Sequence, residues 1–588
     1  MDKGISLTEQ HSYWRSAVFR TKVFLLILAR GAKNIVKPSY SFKQTPLAPD
    51  WPVIGSSLSL LWNPDDNADN RILTAGKIQN LRIAIQKING IKIPAGTEFS
   101  FWQHIGNPNI GKGYVKGREI REGCIVPMKA GGLCQLSNAL YDTALKAGCT
   151  ITERHRHTRI IKGSLAEKNR DATVKWNYLD LRFKTDCDIT IEAVLTSEDL
   201  IIRFRSLEPG KNTPNPEFYS KPSKLNDCYS CGNVACAQHP GEKNIPRTAL
   251  HNTYILDEPW KEYTQYIAGQ NNNNAVFIVP LKASPLIGNN RYNWQLTKDK
   301  NIIPLTAVAL YRSLMMRLKR NSNPFELSLR YDKIMAERAA KKIPFTSEHL
   351  VISQNLLPFL YETGALGGRT YDVLMTRLPA EHLHRQLDMA HQTLNNSPTL
   401  NDFRAPEPFI QNENTALTAA RYIITPHRSI AKIFNHKTVL LNWHTPTVAK
   451  ATPSLSKRIL FPASALGRKG VYEVKALADA LDLTVVVSGS AIEYPGFWGH
   501  TSVEQHTGNN FNNIAAVVYP AYVEHRPAML LKALAAGVPV IASSACGLSD
   551  HSLLTTVQSG DIKGLIAAVQ KVIEPLQYRE NITEMNEV

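Results

Sequence analysis

Apolar residues at Ile78, Leu81, Ile83, Ile85 and Ile88 carry the spacing of a helix over residues 76–89. A second helical run, GGLCQLSNALYDTALKAG at 131–148, puts Leu136, Leu140, Ala144 and Ala147 on one face and closes at Gly148. Around these helices the period changes to two. IGSSLSLLW alternates like a strand, and GIKIPAGTEFSFW reads as strand, turn, strand. ITERHRHTRII, DATVKWNYLDLRF and ITIEAVL are also strand-like. Helices followed by a run of strands predict an α+β domain over 46–210.

Beyond about residue 275 the pattern alternates short apolar strands with helical stretches. AVFIVPL, HLVISQ, YDVLMTRL, RYIITP and KTVLLNW come first; RILFPAS, LTVVVSGS, AAVVYPA and VPVIASS follow residue 455. Fully apolar strands of this kind belong to parallel sheets covered on both faces. Two Rossmann-like α/β domains are expected, at 251–450 and 451–588. The Pro-, Asn-, Ser- and Lys-rich stretch 211–250 reads as a Cys-rich linker. Residues 1–45 form a basic amphipathic N-terminal segment.

Length and charge sharpen this picture. A chain of 588 residues exceeds one ordinary core. Its net charge of +18 favours anionic partners such as phosphates, nucleotide sugars and acidic lipids. No aromatic-basic signature marks an RNA or DNA module, so nucleic acid is not an expected partner. The N-terminal apolar run Val23–Ala29 is far short of the ~20 residues that cross a bilayer. Trp14, Phe19, Phe24 and Leu28 among basic residues fit a helix lying on anionic lipid, or one packed on the protein's own body. Eight cysteines in so long a chain do not make a disulfide scaffold. A cytoplasmic location, with peripheral contact at the inner membrane surface, is the expectation.

Three patterns carry candidate chemistry. Cys134 falls in the first turn of the 131–148 helix, where free N–H groups stabilise a thiolate. In a strand, Glu153, His155 and His157 would share one face, and Asp171 and Asp180 lie on the strands that follow. Cysteine, histidine and acid in this order also resemble transglutaminase-like and papain-like cores. Cys134, His155, His157 and Asp171 are therefore candidate catalytic residues, with Gln135 a candidate oxyanion donor. Cys228, Cys231, Cys236 and His239 form C-x2-C-x4-C-x2-H, which suits a structural Zn²⁺. In RILFPASALGRKG, Arg468, Lys469 and Gly470 join a strand to a helix, a good diphosphate site. Glu524 precedes a later helix at a strand's carboxyl end.

The first region resembles the VanW family, first met in vancomycin-resistance clusters. The resemblance rests on EFSFWQHIGNPNIGKGYVKG, GGLCQLSNALYDTALKAG, ERHRH and DATVKWNYLDLRF, over about 70–195. It identifies the domain and implies no particular reaction. Residues 275–575 resemble retaining glycosyltransferases of the two-Rossmann GT-B fold, through RILFPASALGRKG and AAVVYPAYVEHRPAMLLKALAAGVPVIAS in the donor half, and HLVISQNLLPFLYETGALGGRTYDVLMTRLP in the acceptor half. That resemblance implies Arg468 and Lys469 on a donor diphosphate and Glu524 on the sugar hydroxyls. The family's second glutamate, seven residues further on, is replaced by Lys532, which reverses the charge at the ribose position.

Together these patterns predict a glycosyltransferase with a VanW-like domain, moving a sugar from a nucleotide donor to a cell-envelope glycan or lipid-linked acceptor. A thiol enzyme built on Cys134 and acting on a peptidoglycan-related substrate is the alternative. A non-catalytic envelope or antibiotic-resistance accessory protein is the third. His349 and His427 are expected to be satisfied polar groups; Arg369 and Arg377 are candidates for acceptor phosphate.

Overall fold

A computed structural model describes residues 13–585 except 37–39, 47–49, 65, 122–123, 158–164, 166, 177, 209–250, 271–273, 283–291, 295, 297–299, 319–322, 395–396, 452–455 and 507–509. The chain forms two compact units. One holds residues 1–252 with 343–349 and 364–370; the other holds 253–342, 350–363 and 371–588.

The first unit opens with helix α1 (Tyr13–Val36), strand β1 (Val53–Leu60) and helix α2 (Ala68–Ile88). Strands β2 (Lys92–Ile93) and β3 (Glu98–Ser100) follow, then the short helix α3 (Phe101–Ile105). The expected second strand stops at Ser100 because its Oγ accepts from the Gln103 N–H and caps that helix. Strands β4 (Lys116–Arg121) and β5 (Cys124–Lys129) make a hairpin ahead of α4 (Leu133–Lys146). Then come β6 (Thr150–Glu153), β7 (Arg182–Lys184), β8 (Ile189–Leu195) and β9 (Asp199–Arg205). An antiparallel sheet runs β1-β9-β8-β2, and a smaller one β3-β7-β6. One core joins α2 and α4 to both sheets through Ile78, Leu81, Leu136, Leu140, Phe183 and Phe204.

Of the long strands expected over 151–161 and 171–183, the described residues form only Thr150–Glu153 and Arg182–Lys184; 158–161 and 177 lie outside the described residues. Side chains take the backbone groups that a ladder would use. Ser137 Oγ donates to the Ala172 carbonyl at 2.6 Å, Asn138 Oδ1 accepts the Ala172 N–H at 2.8 Å, and Asp171 accepts the His157 N–H at 2.7 Å.

The second unit carries two parallel-sheet α/β layers, as the apolar strands predict. The first sheet contains β10 (His251–Ile255), β11 (Val276–Val279), β14 (Asn301–Pro304), β15 (Ser347–Ser353), β16 (Thr370–Leu374), β17 (Tyr422–Thr425) and β18 (Thr438–Leu440), in the order β14-β11-β10-β15-β16-β17-β18. A small parallel pair, β12 (Leu281–Lys282) and β13 (Asn293–Trp294), lies apart from it. The second sheet contains β19 (Arg458–Phe461), β20 (Thr484–Val487), β21 (Val503–Gln505), β22 (Ala516–Tyr519), β23 (Val540–Ser543) and β24 (Leu554–Val557). Its order is β21-β20-β19-β22-β23-β24, every pair parallel. Each sheet reverses direction between its first and fourth strands, the doubly wound arrangement that leaves a crevice at the strands' carboxyl ends. Helices α5 (Val471–Leu481) and α6 (Ala528–Ala536) follow β19 and β22.

Close backbone approach explains the two glycines before α4. A Cβ on Gly131 would lie 2.5 Å from the Gly117 carbonyl oxygen, and one on Gly117 would lie 2.5 Å from that of Gly131. Gly132 adopts φ +100°, and a Cβ there would meet the Lys77 side chain at 2.1 Å. Fully buried Asn80 locks the turn, donating to the carbonyls of Val115 (3.1 Å) and Gly131 (2.9 Å) and accepting from the Val115 N–H (2.9 Å).

Replacing Asn80 by leucine strands those backbone groups, so about 1–3 kcal/mol of stability should be lost. Gly131→Ala should cost at least as much, because backbone atoms rather than a flexible side chain stand in the way. Urea unfolding of the full chain checks both; unchanged midpoints would show that the turn is not locked this way.

Candidate functional site

The motif on α4 works in both directions. Gln135 reaches Ser59 Oγ (3.0 Å) and the Leu60 carbonyl (2.8 Å) at the end of β1. Ser137 and Asn138 grip Ala172 on the other side. Between them Cys134, half-buried, donates its thiol to the Val174 carbonyl at 3.8 Å. The segment held by α4 is thus the one that carries Asp171.

Asp171 is a buried hub. Its Oδ2 accepts from both the backbone N–H and Nδ1 of His157 at 2.7 Å, and its Oδ1 pairs with Arg154 at 2.8 Å. Burial alone would raise its pKa; His157 and Arg154 outweigh that and hold the carboxyl below its usual range. With Nδ1 bound to Asp171, His157 also lies within electrostatic reach of Cys134. Burial would lower the imidazole's pKa, but Asp171 and Cys134 bring it up to about 9.

The strand alternation expected for Glu153, His155 and His157 does not persist, because β6 ends at Glu153. His155 turns to Glu153, Nε2 to Oε1 at 3.0 Å, while His157 turns to Asp171. Glu153 also pairs with Arg30 of α1, whose Nη1 lies 2.8 Å from Oε2. Gln135 has its amide committed at β1 and is not free to serve as an oxyanion donor.

The second cluster sits where β19 and β22 end. After β19 a tight turn, Gly467–Lys469, leads through Gly470 (φ +84°) into α5. A Cβ on Gly470 would meet the Pro520 carbonyl at 2.6 Å, so glycine lets the two loops touch. Lys469 Nζ donates to the Val523 carbonyl (3.0 Å) and pairs with Glu524 Oε2 (2.9 Å). Glu524 also accepts the N–H groups of His525 (3.0 Å) and Arg526 (2.9 Å) and the Tyr519 hydroxyl. Burial would raise the Glu524 carboxyl, yet Lys469 and Tyr519 keep it below its ordinary value. Arg468 lies over the Phe403 ring at 5.2 Å and pairs with Asp402 at 2.6 Å. Its Nε is buried without a hydrogen-bond partner among the described residues. Burial beside Lys469 brings the His525 pKa down to about 3, so its ring is neutral.

Lys532, half-buried on α6, makes no ion pair among the described residues. His349 bonds Thr370 Oγ1 at 2.9 Å, and buried His427 bonds the Glu524 carbonyl at 3.1 Å. Arg369 is spent on the carbonyls of Ser347, Ala365 and Pro344, and Arg377 on buried Glu413 at 2.9 Å, so neither offers a phosphate site. Cys228, Cys231, Cys236 and His239 lie outside the described residues; among the described residues no cluster of three or more His, Cys, Asp or Glu has the geometry to hold a metal. Asp402, Phe403, Tyr519 and Arg30 were not legible as partners, since no local spacing links them to Arg468, Glu524 or Glu153.

Comparison with known proteins places residues 76–205 on the family model "VanW like protein". The vancomycin B-type resistance protein VanW of Enterococcus faecalis is 31% identical over 144 residues, 24% of this chain and 51% of that protein. The chain therefore spans about half the length of this curated relative. Among solved structures, sucrose-phosphate synthase from Thermosynechococcus elongatus is similar with TM-score 0.35 and 14% identity, over 56% of this chain and 90% of that one. WaaG, a glycosyltransferase involved in lipopolysaccharide biosynthesis, is similar with TM-score 0.30 and 14% identity, over 55% and 91%.

The His157–Asp171 pair sets a pH dependence. A histidine whose pKa rises on folding from 6.5 to about 9 contributes stability that is full below pH 6.5 and lost as pH climbs through 9. Unfolding midpoints should therefore fall between pH 6.5 and 9 in the wild type and fall less in His157→Gln. Parallel pH curves for the two proteins would show that the pair does not stabilise the fold.

Proposed function

We propose that the chain is a glycosyltransferase that takes a sugar from a nucleotide donor and passes it to a cell-envelope glycan or lipid-linked acceptor. One observation carries this reading: Arg468, Lys469 and Glu524 converge at the carboxyl ends of β19 and β22, the switch point of a doubly wound sheet, where such sheets bind ligands. The chemistry fits a nucleoside diphosphate sugar. Arg468, with its orphan Nε, and Lys469 supply positive charge for the diphosphate, and the start of α5 adds its N–H groups. Ionised Glu524 accepts hydroxyl hydrogen bonds from the sugar. During transfer, negative charge builds on the leaving diphosphate, and cations fixed beside it lower the barrier. Neutral His525 adds no competing charge. Lys532 supports a phosphate contact rather than a ribose contact, since an ammonium only donates.

The acceptor side draws support from α1. Trp14, Val18, Leu25, Leu28 and Ile35 repeat at alternating steps of four, seven, three and seven residues, so they form one helical stripe. That stripe faces solvent: Trp14 is 77%, Leu25 59% and Ile35 82% exposed. The opposite face is fastened to the first unit, Arg30 to Glu153 and Asn34 to Arg182 at 3.0 Å. The helix contains no Asp or Glu, and exposed Lys22 and Lys33 flank the stripe. A second basic copy would repel it, whereas an anionic lipid surface complements both apolar stripe and charge. We read α1 as the contact with the membrane that presents the acceptor.

Nucleoside diphosphate sugars should stabilise the purified chain by about 2.7 kcal/mol at a hundredfold excess over Kd. Lys469→Ala and Glu524→Ala should each weaken binding by roughly 10-fold or more, the loss expected of a charge-assisted hydrogen bond. Calorimetry across several nucleotide sugars checks this; no binding by any donor, or full binding by both variants, would end the transferase reading. Vesicles containing phosphatidylglycerol should sediment the full chain at low salt while phosphatidylcholine vesicles do not. Leu25→Asp with Leu28→Asp should lower that binding by about 10-fold or more. Equal binding to both vesicle types, or self-association through α1 instead, would overturn the membrane contact.

A further inference from the structure

We propose that Cys134, His157 and Asp171 form a second reactive centre, in which Cys134 is the nucleophile toward a small amide or ester acyl group. It lies in the VanW domain and is independent of the transferase reading. The three residues arrive from separate segments, yet α4 brings them to one place: Ser137 and Asn138 hold the backbone at Ala172, Cys134 touches the Val174 carbonyl of that same segment, and Asp171 holds His157 within electrostatic reach of the thiol. Asp171 fixes Nδ1, which leaves Nε2 as the nitrogen that gives its proton to the leaving group. Cys134 opens a 14-residue helix whose N-cap, Gly132, provides no side-chain cap. The Gln135 N–H is bound to the Gly132 carbonyl at 3.0 Å, and the helix start carries a partial positive charge beside the thiol.

The other described thiols mark the contrast. Cys149, Cys187 and Cys546 are buried, and burial pushes the Cys149 and Cys546 thiols up to about 12, the condition of inert packing groups. Only Cys134 among these four combines partial exposure with an imidazole. A cavity of about 120 Å³ lies in the same unit, walled by Trp102, Trp176, Tyr178, Arg30 and Arg182. Trp176 is two residues from Val174, the carbonyl that touches Cys134, so its Cα is within about 7.6 Å of Val174. Asp180 also lines it, and Arg30 and Arg182 are paired with Glu153 and Asp180, so the indole faces are what this wall offers a small acyl portion.

The chemistry balances without a cofactor. His157, its pKa brought up to about 9, holds a proton at neutral pH; Cys134 gives its own proton to solvent, and the thiolate paired with that imidazolium bonds the carbonyl carbon through Sγ. As the acyl C–N or C–O bond breaks, the His157 imidazolium gives its proton to the leaving amine or alcohol, and a thioester remains. Neutral His157 then takes a proton from water, the hydroxide attacks the thioester, and Sγ leaves as thiolate. The net reaction converts an amide or ester and water to an acid and an amine or alcohol. His157 acts as acid and base; Asp171 is a positioning residue.

The test uses the full chain and p-nitrophenyl acetate as acyl donor, with peptide mapping and alkylation by iodoacetamide. Cys134 should carry the acetyl group, and its alkylation at pH 6.5 should exceed that of free cysteine by about 10-fold or more. His157→Asn should abolish this low-pH excess, and Asp171→Asn should reduce it, with both thermal melts recorded. If the variants fail to fold, the wild-type pH profile decides alone. A Cys134 profile matching free cysteine, or acetylation confined to other residues, would overturn the proposal.

Discussion

The approach of Gly131 to Gly117 leaves no room for a side chain on either residue, and much of the first unit follows from that contact. It brings the β4–β5 hairpin against the entry to α4 and fixes the height at which Cys134 emerges. Asn80 turns the contact into a buried, fully hydrogen-bonded joint with α2. A helix started at this point sets Ser137 and Asn138 against residues 171–174, and so places Asp171 and His157. Packing and chemistry are therefore one arrangement: the same turn that closes the core presents the thiol.

The two parallel sheets offer an instructive contrast. Both have a switch point, and the described charges at the two differ in how deeply they are enclosed. At the first sheet, Asp257 beyond β10 is bound to Arg312 at 3.1 Å, and Arg312 to Asp332 at 3.0 Å. Gln354 beyond β15 accepts from the N–H groups of Thr376 and Arg377 and donates to Glu413. These buried charges satisfy one another and hold loops. At the second sheet the Lys469–Glu524 pair is less enclosed, and Arg468 keeps an unpartnered Nε. Charge that is not fully spent inside the protein is what a phosphate-bearing ligand requires.

Much of this fold was legible from period alone. The apolar strands RILF, TVVV and AVVY stand where the alternation put them, and α4 occupies 133–146 of the expected 131–148. Among the described residues the strand reading failed at 154–157 and 171–181, where polar side chains claim the backbone. Period-two patterning cannot register that competition, because Ser137 and Asn138 act across 34–35 residues of sequence. Position without context also misassigned Gln135, Arg369 and Arg377, whose partners lie on distant elements.

By itself the sequence determined the classes of structure: an α+β domain and two parallel α/β layers, each written in local periodicity. It also supplied the candidate residues, since a thiol, imidazole or carboxylate is chosen by type. Tertiary structure decided which of them meet. His157 rather than His155 turns to Asp171, and Lys469 rather than Lys532 pairs with Glu524. The reason is that hydrogen bonds and ion pairs act over a few ångströms of space, whatever the separation along the chain.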